Sequence, residues 1–543
     1  MSTHEVFNQA PARVDIDEYA ANVALVEGVA RYDAAWADEA LHATGVHVGT
    51  AEFQHDARRA NRHKPELRTH DRWGHRIDEV EYDPSYHRII SAAVADGAHT
   101  SAFADPRPGA NVARAATFML YAQIEPGHAC PASMTHSAAP VIAQQPELAA
   151  EWMPRLLSRS YDGRLVSGKE GALFGMAMTE KQGGSDVRAN TTVAVPIGEG
   201  RYELTGHKWF CSAPMSDGFL VLAQAPGGLS CFLMPRLRED GTRNAMHIMR
   251  LKDKLGNAAN ASSEVEYRGA IGHLIGDEGR GVRTIIEMVT NTRLDCILGS
   301  LAGMRQAAAE AAWHVRHRAA FGRTLIDQPA MTGVIADLQL EAEGVTAAAL
   351  RLARAYDIDA SAQDAGFARL GTAVMKYWAC KRGPAHAAEA LECLGGNGYT
   401  EDFPLAMRYR EQPVMAVWEG SGNVIALDVL RALAREPSSF EAFDAEVSLA
   451  RGADARLDAH LDRTRALVRS VAAEMASDAA PEGGARGLIS ALALALQGAL
   501  LVQHAPASVA DGFVASRLGE DATGFLFGEL PTGVDAGAIA ARA

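Results

Sequence analysis

Residues suited to chemistry gather first in the run Met178-Thr179-Glu180-Lys181-Gln182-Gly183-Gly184-Ser185-Asp186. Its glycines and hydroxyls let backbone N–H groups close on an anion or on the polar edge of a flat ring. About 25 residues on, Thr205-Gly206-His207-Lys208-Trp209-Phe210-Cys211-Ser212 reads as a hairpin; its outgoing strand carries Phe210 and Ser212 two apart, hence on one face, where a heterocycle can stack. Further motifs follow in order: Lys254-Leu255-Gly256, Gly276-Asp277-Glu278-Gly279-Arg280-Gly281, Arg318-Ala319-Ala320-Phe321-Gly322, Leu394-Gly395-Gly396-Asn397-Gly398-Tyr399 and Trp418-Glu419-Gly420-Ser421-Gly422-Asn423. Taken singly, each has an ordinary explanation. The first loop can be a glycine turn with a capping serine, Arg318 a surface ion pair and Phe210 a core aromatic. Their occurrence together and in this order is what argues for a site.

The elements that must position these motifs follow from the texture of the chain. Residues 1–172 read as an N-terminal helical domain, with Ala-rich segments 86–104, 110–124 and 138–160 carrying apolar residues at three- and four-residue intervals between Pro/Gly breaks. Residues 173–284 change to short β-prone runs such as Phe219–Ala223 and Ser230–Met234, a central β-barrel-like domain. Long Ala/Leu-rich stretches over 285–436 suit a helical bundle, and 437–543 forms an extra helical module after the break at Pro437-Ser438-Ser439. The fold class is therefore α+β and multidomain.

Composition narrows the function. Apolar residues at 48% and charged residues at 22% exclude disorder and low complexity. A net charge of −15 repels phosphate backbones overall, so any nucleic-acid site must be local. The six cysteines include no C-x-x-C and read as buried reduced thiols; His128 and His136 lack ligand spacing, and no metal is expected. No apolar core of signal-peptide type stands near Met1, and the longest greasy run, Ile489 to Val502, is broken by Gln497 and reads as too short to span a bilayer. A soluble, cytoplasmic protein without membrane partners is the expectation.

Helices, a β-domain, a second bundle and these motifs in this order resemble the acyl-CoA dehydrogenase family across about 100–436, and the extra C-terminal module resembles its adaptive-response members. The resemblance implies a noncovalent FAD between the β-domain and the second bundle, an acyl-CoA substrate and a homotetramer. Thr179, with Met178, matches the position meeting the flavin pyrimidine edge, and Ser185, with Gly184, the one facing the pyrophosphate. Phe210 and Ser212, flanking Cys211, match residues beside the isoalloxazine; phenylalanine keeps the apolar face but lacks an indole N–H. Arg318, Phe321 and the Gly395-Gly396 turn match contacts made by a neighbouring subunit with the adenosine and pyrophosphate end. Relatives place a Gln eight residues after that Phe, whereas here the position is Pro329 and Gln328 stands one earlier. Trp418, Glu419, Gly420, Ser421, Gly422 and Asn423 complete the cofactor set.

The resemblance also assigns the chemistry. Glu419 matches the base that takes the α-proton, its own N–H donating to the developing enolate oxygen. Some relatives carry the base on the helix after the β-domain, at the position of Thr292; Arg293 beside it matches a basic residue of relatives that can equally form a structural ion pair, and Asp295, about one turn along, is the weaker candidate for the base. The implied reaction is α,β-dehydrogenation of a short or branched acyl-CoA, linked to protection of DNA against alkylation. The alternative is a DNA-binding stress-response flavoprotein with little turnover. Double-stranded DNA would meet the C-terminal module at Arg517, yet 438–543 holds eight Arg, no Lys and fourteen Asp+Glu. A basic stripe of Arg456, Arg463, Arg465 and Arg469 at helical spacing is the one way around that average.

Overall fold

The computed structural model describes residues 3–477, 481–520, 522 and 526–543. The chain compacts into two units. A sheet unit comprises Ala51–Pro106 and Ile124–Asp295, and a helical unit comprises Met1–Thr50, Arg107–Gln123 and Cys296–Ala543. The four consecutive segments expected from the sequence are thus regrouped: residues 1–172 divide between both units, because helices distant in sequence share a core.

In the sheet unit, β1 (Glu66–His70) and β2 (Arg76–Glu81) form an antiparallel hairpin inside the segment expected to be helical. Its strands are almost wholly polar, so no apolar alternation betrays them. Asp71 closes the turn by accepting from the N–H groups of Trp73 and His75. The central β-domain is one seven-stranded sheet of β3 (Phe174–Ala177), β4 (Val193–Gly198), β5 (Arg201–Ser212), β6 (Gly218–Ala225), β7 (Gly228–Pro235), β8 (Met246–Leu251) and β9 (Ser262–Ile275). Its order is β3-β6-β4-β5-β9-β7, with β8 on β9 and a further β6–β7 pairing. Strand β6 is apolar without alternation because both faces are covered. Phe219, Val221 and Ala223 enter one core with Phe232, Met234 and Tyr267. Leu220 and Leu222 enter the other with Leu233, Phe174, Trp152 and Ile142. Each such side chain contributes about 1.5–3 kcal/mol on burial.

The hairpin expected within Thr205–Ser212 is absent; these residues lie in the single strand β5, paired with β9 from Arg201 to Ser212. Antiparallel pairing with β9 on both sides of Gly206, with register shifts at Leu204/Thr205 and Lys208/Cys211, overrides the glycine turn signal. Gly206 (φ 152°) serves close approach instead, since a Cβ there would lie 2.6 Å from Thr192 Oγ1.

The helical unit is built from Ala110–Ala122, Pro329–Arg354, Ala362–Glu392, Leu405–Met415, Gly422–Arg435, Pro437–Ser448, Ala455–Ala476, Ala485–His504 and Ala507–Leu518. Ser361 and Asp364 form a reciprocal capping box at the start of Ala362–Glu392. The C-terminal module is continuous with this unit: Leu501, Val509, Phe513 and Ile539 share a core with Ala308, Ala312, Leu338 and Leu405. Ala485–His504 is a 20-residue helix, longer than the run expected from the sequence, and by length and composition it could cross a membrane. In its most apolar window 67% is buried within the protein, and the amide of Gln497 is fully buried and donates to the Ala493 carbonyl.

Candidate functional site

In the helical unit, Leu405–Met415 and Gly422–Arg435 are joined by a short loop carrying Trp418-Glu419-Gly420-Ser421. Glu419 sits at φ 55° and Gly420 at φ 108°, so the chain reverses through two consecutive positive-φ residues. A non-glycine there costs about 1 kcal/mol or more and must be held by its surroundings. The holder is Lys376, 1% exposed on Ala362–Glu392, whose Nζ donates to the carbonyls of Trp418 and Gly420, both at 2.6 Å. Trp418 packs against Cys296, Cys380 and Met415. The next residues are also accounted for. A Cβ on Gly422 would lie 2.8 Å from Lys381 Cε, and Asn423 Oδ1 accepts from Arg486 Nε at 2.9 Å. Ser421 is the N-cap residue of the following helix, without a side-chain capping bond.

Arg318 precedes a tight hairpin, Ala319–Ala320 paired with Arg323–Thr324. Its two turn residues, Phe321 (φ 53°) and Gly322 (φ 77°), have the left-handed pair that such hairpins require. Phe321 consequently stands 98% exposed. Arg318 Nη1 donates to the Asn8 carbonyl at 2.7 Å, and the Gln328 amide donates to the Ala320 carbonyl at 3.0 Å. Gln328 thus braces its own hairpin, in keeping with its one-residue offset from the family position. Gly395 (φ 59°) and Gly396 open the turn before the exposed Tyr399, and a Cβ on either would meet nothing within 4 Å. Open space over two glycines suits approach of a ligand rather than packing.

In the sheet unit, the Met178–Asp186 loop is anchored by Glu180. Its buried carboxylate accepts from the Thr191 N–H (2.7 Å) and hydroxyl (2.9 Å), the Thr192 N–H (3.1 Å) and hydroxyl (2.6 Å), and Lys208 Nζ (2.9 Å). Burial opposes its ionisation, but the Thr191 N–H, the Thr192 hydroxyl and the Lys208 ammonium outweigh that and hold the carboxyl well below the usual range. Burial pushes Lys208 down, against the pull of Glu180. Asn190 Nδ2 donates to the Met178 carbonyl at 2.8 Å, and the Trp209 N–H to the Thr179 carbonyl at 2.8 Å. A Cβ on Gly184 would lie 2.5 Å from Thr179 Oγ1, so the loop folds closely over that hydroxyl; Ser185 is exposed beside it.

On β5, Phe210 is 51% exposed and Ser212 shares its face, its hydroxyl 3.2 Å from Ser262 Oγ. Lys252 Nζ lies 4.7 Å from the Phe210 ring centroid. Cys211 points the other way into the core, so a cofactor contact through its side chain is excluded; the strand's alternation decides this. The helical alternatives to Glu419 are also placed. The Thr292 hydroxyl donates back to the Met288 and Val289 carbonyls of its own helix, and Asp295 is buried on that helix.

One feature escaped sequence reasoning. A cleft of about 650 Å³ in the sheet unit is lined by Arg188, Arg280 and Arg283, with Gln224, Leu229 and Ile286 among its walls. The Gln224 amide donates to the Arg188 and Asn190 carbonyls and fastens the rim. The three arginines come from two segments distant in sequence, and none is ion-paired among the described residues; the Arg280–Arg283 spacing was the only legible signal. Arg517, expected at nucleic acid, is instead interior. Its side chain is 5% exposed, bonds Asp337 and lies 3.5 Å from Glu341. Two buried carboxylates require a buried cation, and that demand places it.

Residues 175–270 match the family model described as acyl-CoA dehydrogenase, middle domain, and 279–434 the acyl-CoA dehydrogenase C-terminal domain. Residues 8–163 match the adaptive response protein AidB N-terminal domain. AidB of Escherichia coli (strain K12) is 47% identical over 85% of this chain and 86% of its own length. The chain belongs to the acyl-CoA dehydrogenase family. As a member it is an oxidoreductase, a dehydrogenase whose cofactor is FAD. Among solved structures, Caenorhabditis elegans ACDH-11 in complex with C11-CoA superposes with a TM-score of 0.85 at 28% identity, covering 95% of this chain and 92% of that one. A Bacillus anthracis acyl-CoA dehydrogenase complexed with FAD shares the fold, with a TM-score of 0.64 at 15% identity and coverage of 79% and 76%.

The residues present fit a flat, phosphate-bearing cofactor, each unit taken by itself. The sheet unit presents a half-exposed aromatic, hydroxyls and a glycine loop; the helical unit presents an open glycine turn and a positive-φ loop. Among the described residues no group of three or more His, Cys, Asp or Glu is placed to hold a metal.

Proposed function

We propose that this protein dehydrogenates a short or branched acyl-CoA across its α,β bond, with Glu419 as the base. The observation carrying this reading is the Glu419 turn. A carboxylate held at φ 55° by two hydrogen bonds from a buried lysine is a strained, over-determined conformation of the kind found at reacting centres. In such a turn the Glu419 carboxylate removes the α-proton while its backbone N–H donates to the thioester oxygen, stabilising the charge that develops there. FAD, when bound, takes up the hydride from the β-carbon. Met178, Thr179, Ser185, Phe210 and Ser212 would hold it, and the Gly395-Gly396 turn would meet the adenosine and pyrophosphate end of a neighbouring subunit's FAD.

The arginine cleft supports a coenzyme A thioester over a free acid. Coenzyme A carries a pyrophosphate and a 3′-phosphate, and three unpaired guanidinium groups around about 650 Å³ suit such a nucleotide. The exposed Phe321 and Tyr399 support burial against further copies, hence a homotetramer, and we place the protein in the cytoplasm. A DNA-protective role lacks its assigned contact, since Arg517 is committed to Asp337 and Glu341. Anaerobic titration with a panel of acyl-CoAs, following flavin absorbance, tests the reading. A matching thioester bleaches the wild-type protein rapidly, and Glu419→Gln slows bleaching by about 10²–10⁴-fold. Full-rate bleaching in that variant removes Glu419 as the base.

A further inference from the structure

Lys376 does more than hold a loop. Its Nζ lies 2.6 Å from the Trp418 carbonyl oxygen, and that carbonyl belongs to the same amide group as the Glu419 N–H. An ammonium bonded to the oxygen end of an amide draws electron density through the conjugated O–C–N unit and makes the N–H at the other end a stronger donor. The second bond, to the Gly420 carbonyl at 2.6 Å, fixes the following turn, so the direction of that N–H is set from both sides of Glu419. Taking a lysine to 1% exposure against neutral carbonyls is costly, and a purely mechanical brace needs no charge.

We infer that Lys376 is a positioning residue that tunes the thioester-binding N–H of Glu419 through the Trp418–Glu419 amide. Proton removal at the α-carbon leaves negative charge on the thioester oxygen, and the ammonium stabilises it at one amide's remove. The inference rests on the assignment of Glu419 above, and the two are separable because Glu419→Gln keeps the N–H and loses only the base.

The test is the infrared carbonyl stretch of crotonyl-CoA, labelled with carbon-13 at its thioester carbonyl and bound to the FAD-loaded full-length protein. Wild type and Glu419→Gln are expected to lower this stretch equally relative to free ligand. Lys376→Met loses most of the lowering while its FAD content is unchanged. In the same variant, anaerobic flavin reduction by butyryl-CoA slows about 10–100-fold with KM changed less than about threefold, and Lys376→Arg restores most of both. Should Lys376→Met be insoluble, Lys376→Gln removes the charge and keeps an N–H donor; the carbonyl lowering is then at least halved. An undiminished lowering in Lys376→Met or Lys376→Gln overturns the role of Lys376. A full reduction rate in Glu419→Gln overturns the base assignment instead.

Discussion

Replacing Glu180 by glutamine tests whether the Met178–Asp186 loop is built on a buried charge pair. Both Glu180 and Lys208 side chains are fully buried, 2.9 Å apart, and Lys208 Nζ also donates to the Leu222 carbonyl at 2.7 Å. Glutamine keeps the shape and part of the Thr191–Thr192 network but strands the ammonium, which costs about 3–5 kcal/mol. For a unit of about 230 residues at roughly 2–4 °C per kcal/mol, the melting transition of the sheet unit falls by about 6–20 °C. Differential scanning calorimetry of FAD-loaded protein reads this. The double variant Glu180→Gln/Lys208→Met removes both charges and recovers most of the loss. The pH dependence has a definite sign. A carboxyl whose folded pKa is depressed contributes stability above its unfolded pKa, about 4.5, and loses it as pH falls toward the folded value. The gap between wild type and Glu180→Gln therefore narrows below about pH 4.5. A single variant melting within about 2 °C of wild type, or a double variant no better than the single, would refute the charge-pair account.

Arg517→Met leaves Asp337 buried without its cation, while Glu341 keeps Arg382, and destabilises the helical unit by about 3–5 kcal/mol, seen as an early transition in thermal unfolding. Any duplex affinity measured by anisotropy on the protein that remains folded is unchanged, because the guanidinium faces the interior. Arg280→Ala/Arg283→Ala raises KM for a coenzyme A thioester about tenfold at low salt, the exposed guanidinium–phosphate bonds being discounted for screening. Turnover of the matching pantetheine thioester, which lacks the nucleotide, is unaffected; equal losses on both thioesters would move the nucleotide elsewhere.

The sequence announced the motifs in order, the change of texture at the β-domain and the face shared by Phe210 and Ser212. That last point holds without a hairpin, because alternation is kept across Phe210, Cys211 and Ser212 even though the register with β9 shifts between Lys208 and Cys211. What stayed hidden are partnerships at long separation. Glu180 reads as one polar residue in a polar loop, yet it is the loop's buried anchor because Lys208 arrives 28 residues later. Lys376 reads as an ordinary helical lysine, yet it reaches Trp418 at a separation of 42. Local propensity and periodicity carry no term for such pairs. The β1–β2 hairpin was missed for the opposite reason, since its strands bury too little to leave an apolar pattern.

Charge counting in the C-terminal module shows why a net balance misleads in either direction. The eight arginines of 438–543 look like a small reserve for phosphate among fourteen acids. Most are already spent inside the helical unit: Arg451 on Asp462, Arg456 on Asp454 and Asp511, Arg465 on Asp444, Arg486 on Asn423, Arg517 on Asp337 and Glu341, and Arg542 on Glu27 and Glu343. Several of these bonds join the module to segments before residue 437, and Arg486 joins it to the residue four after Glu419. The cations of this module therefore act as fasteners of the bundle that carries the Trp418–Ser421 loop. A further cationic surface lies in the sheet unit, where Arg188, Arg280 and Arg283 line a cleft of about 650 Å³. A module welded to the bundle in this way makes removal of 437–543 a change to the loop proposed to carry the base, so its truncation is expected to depress turnover before it alters any affinity for DNA.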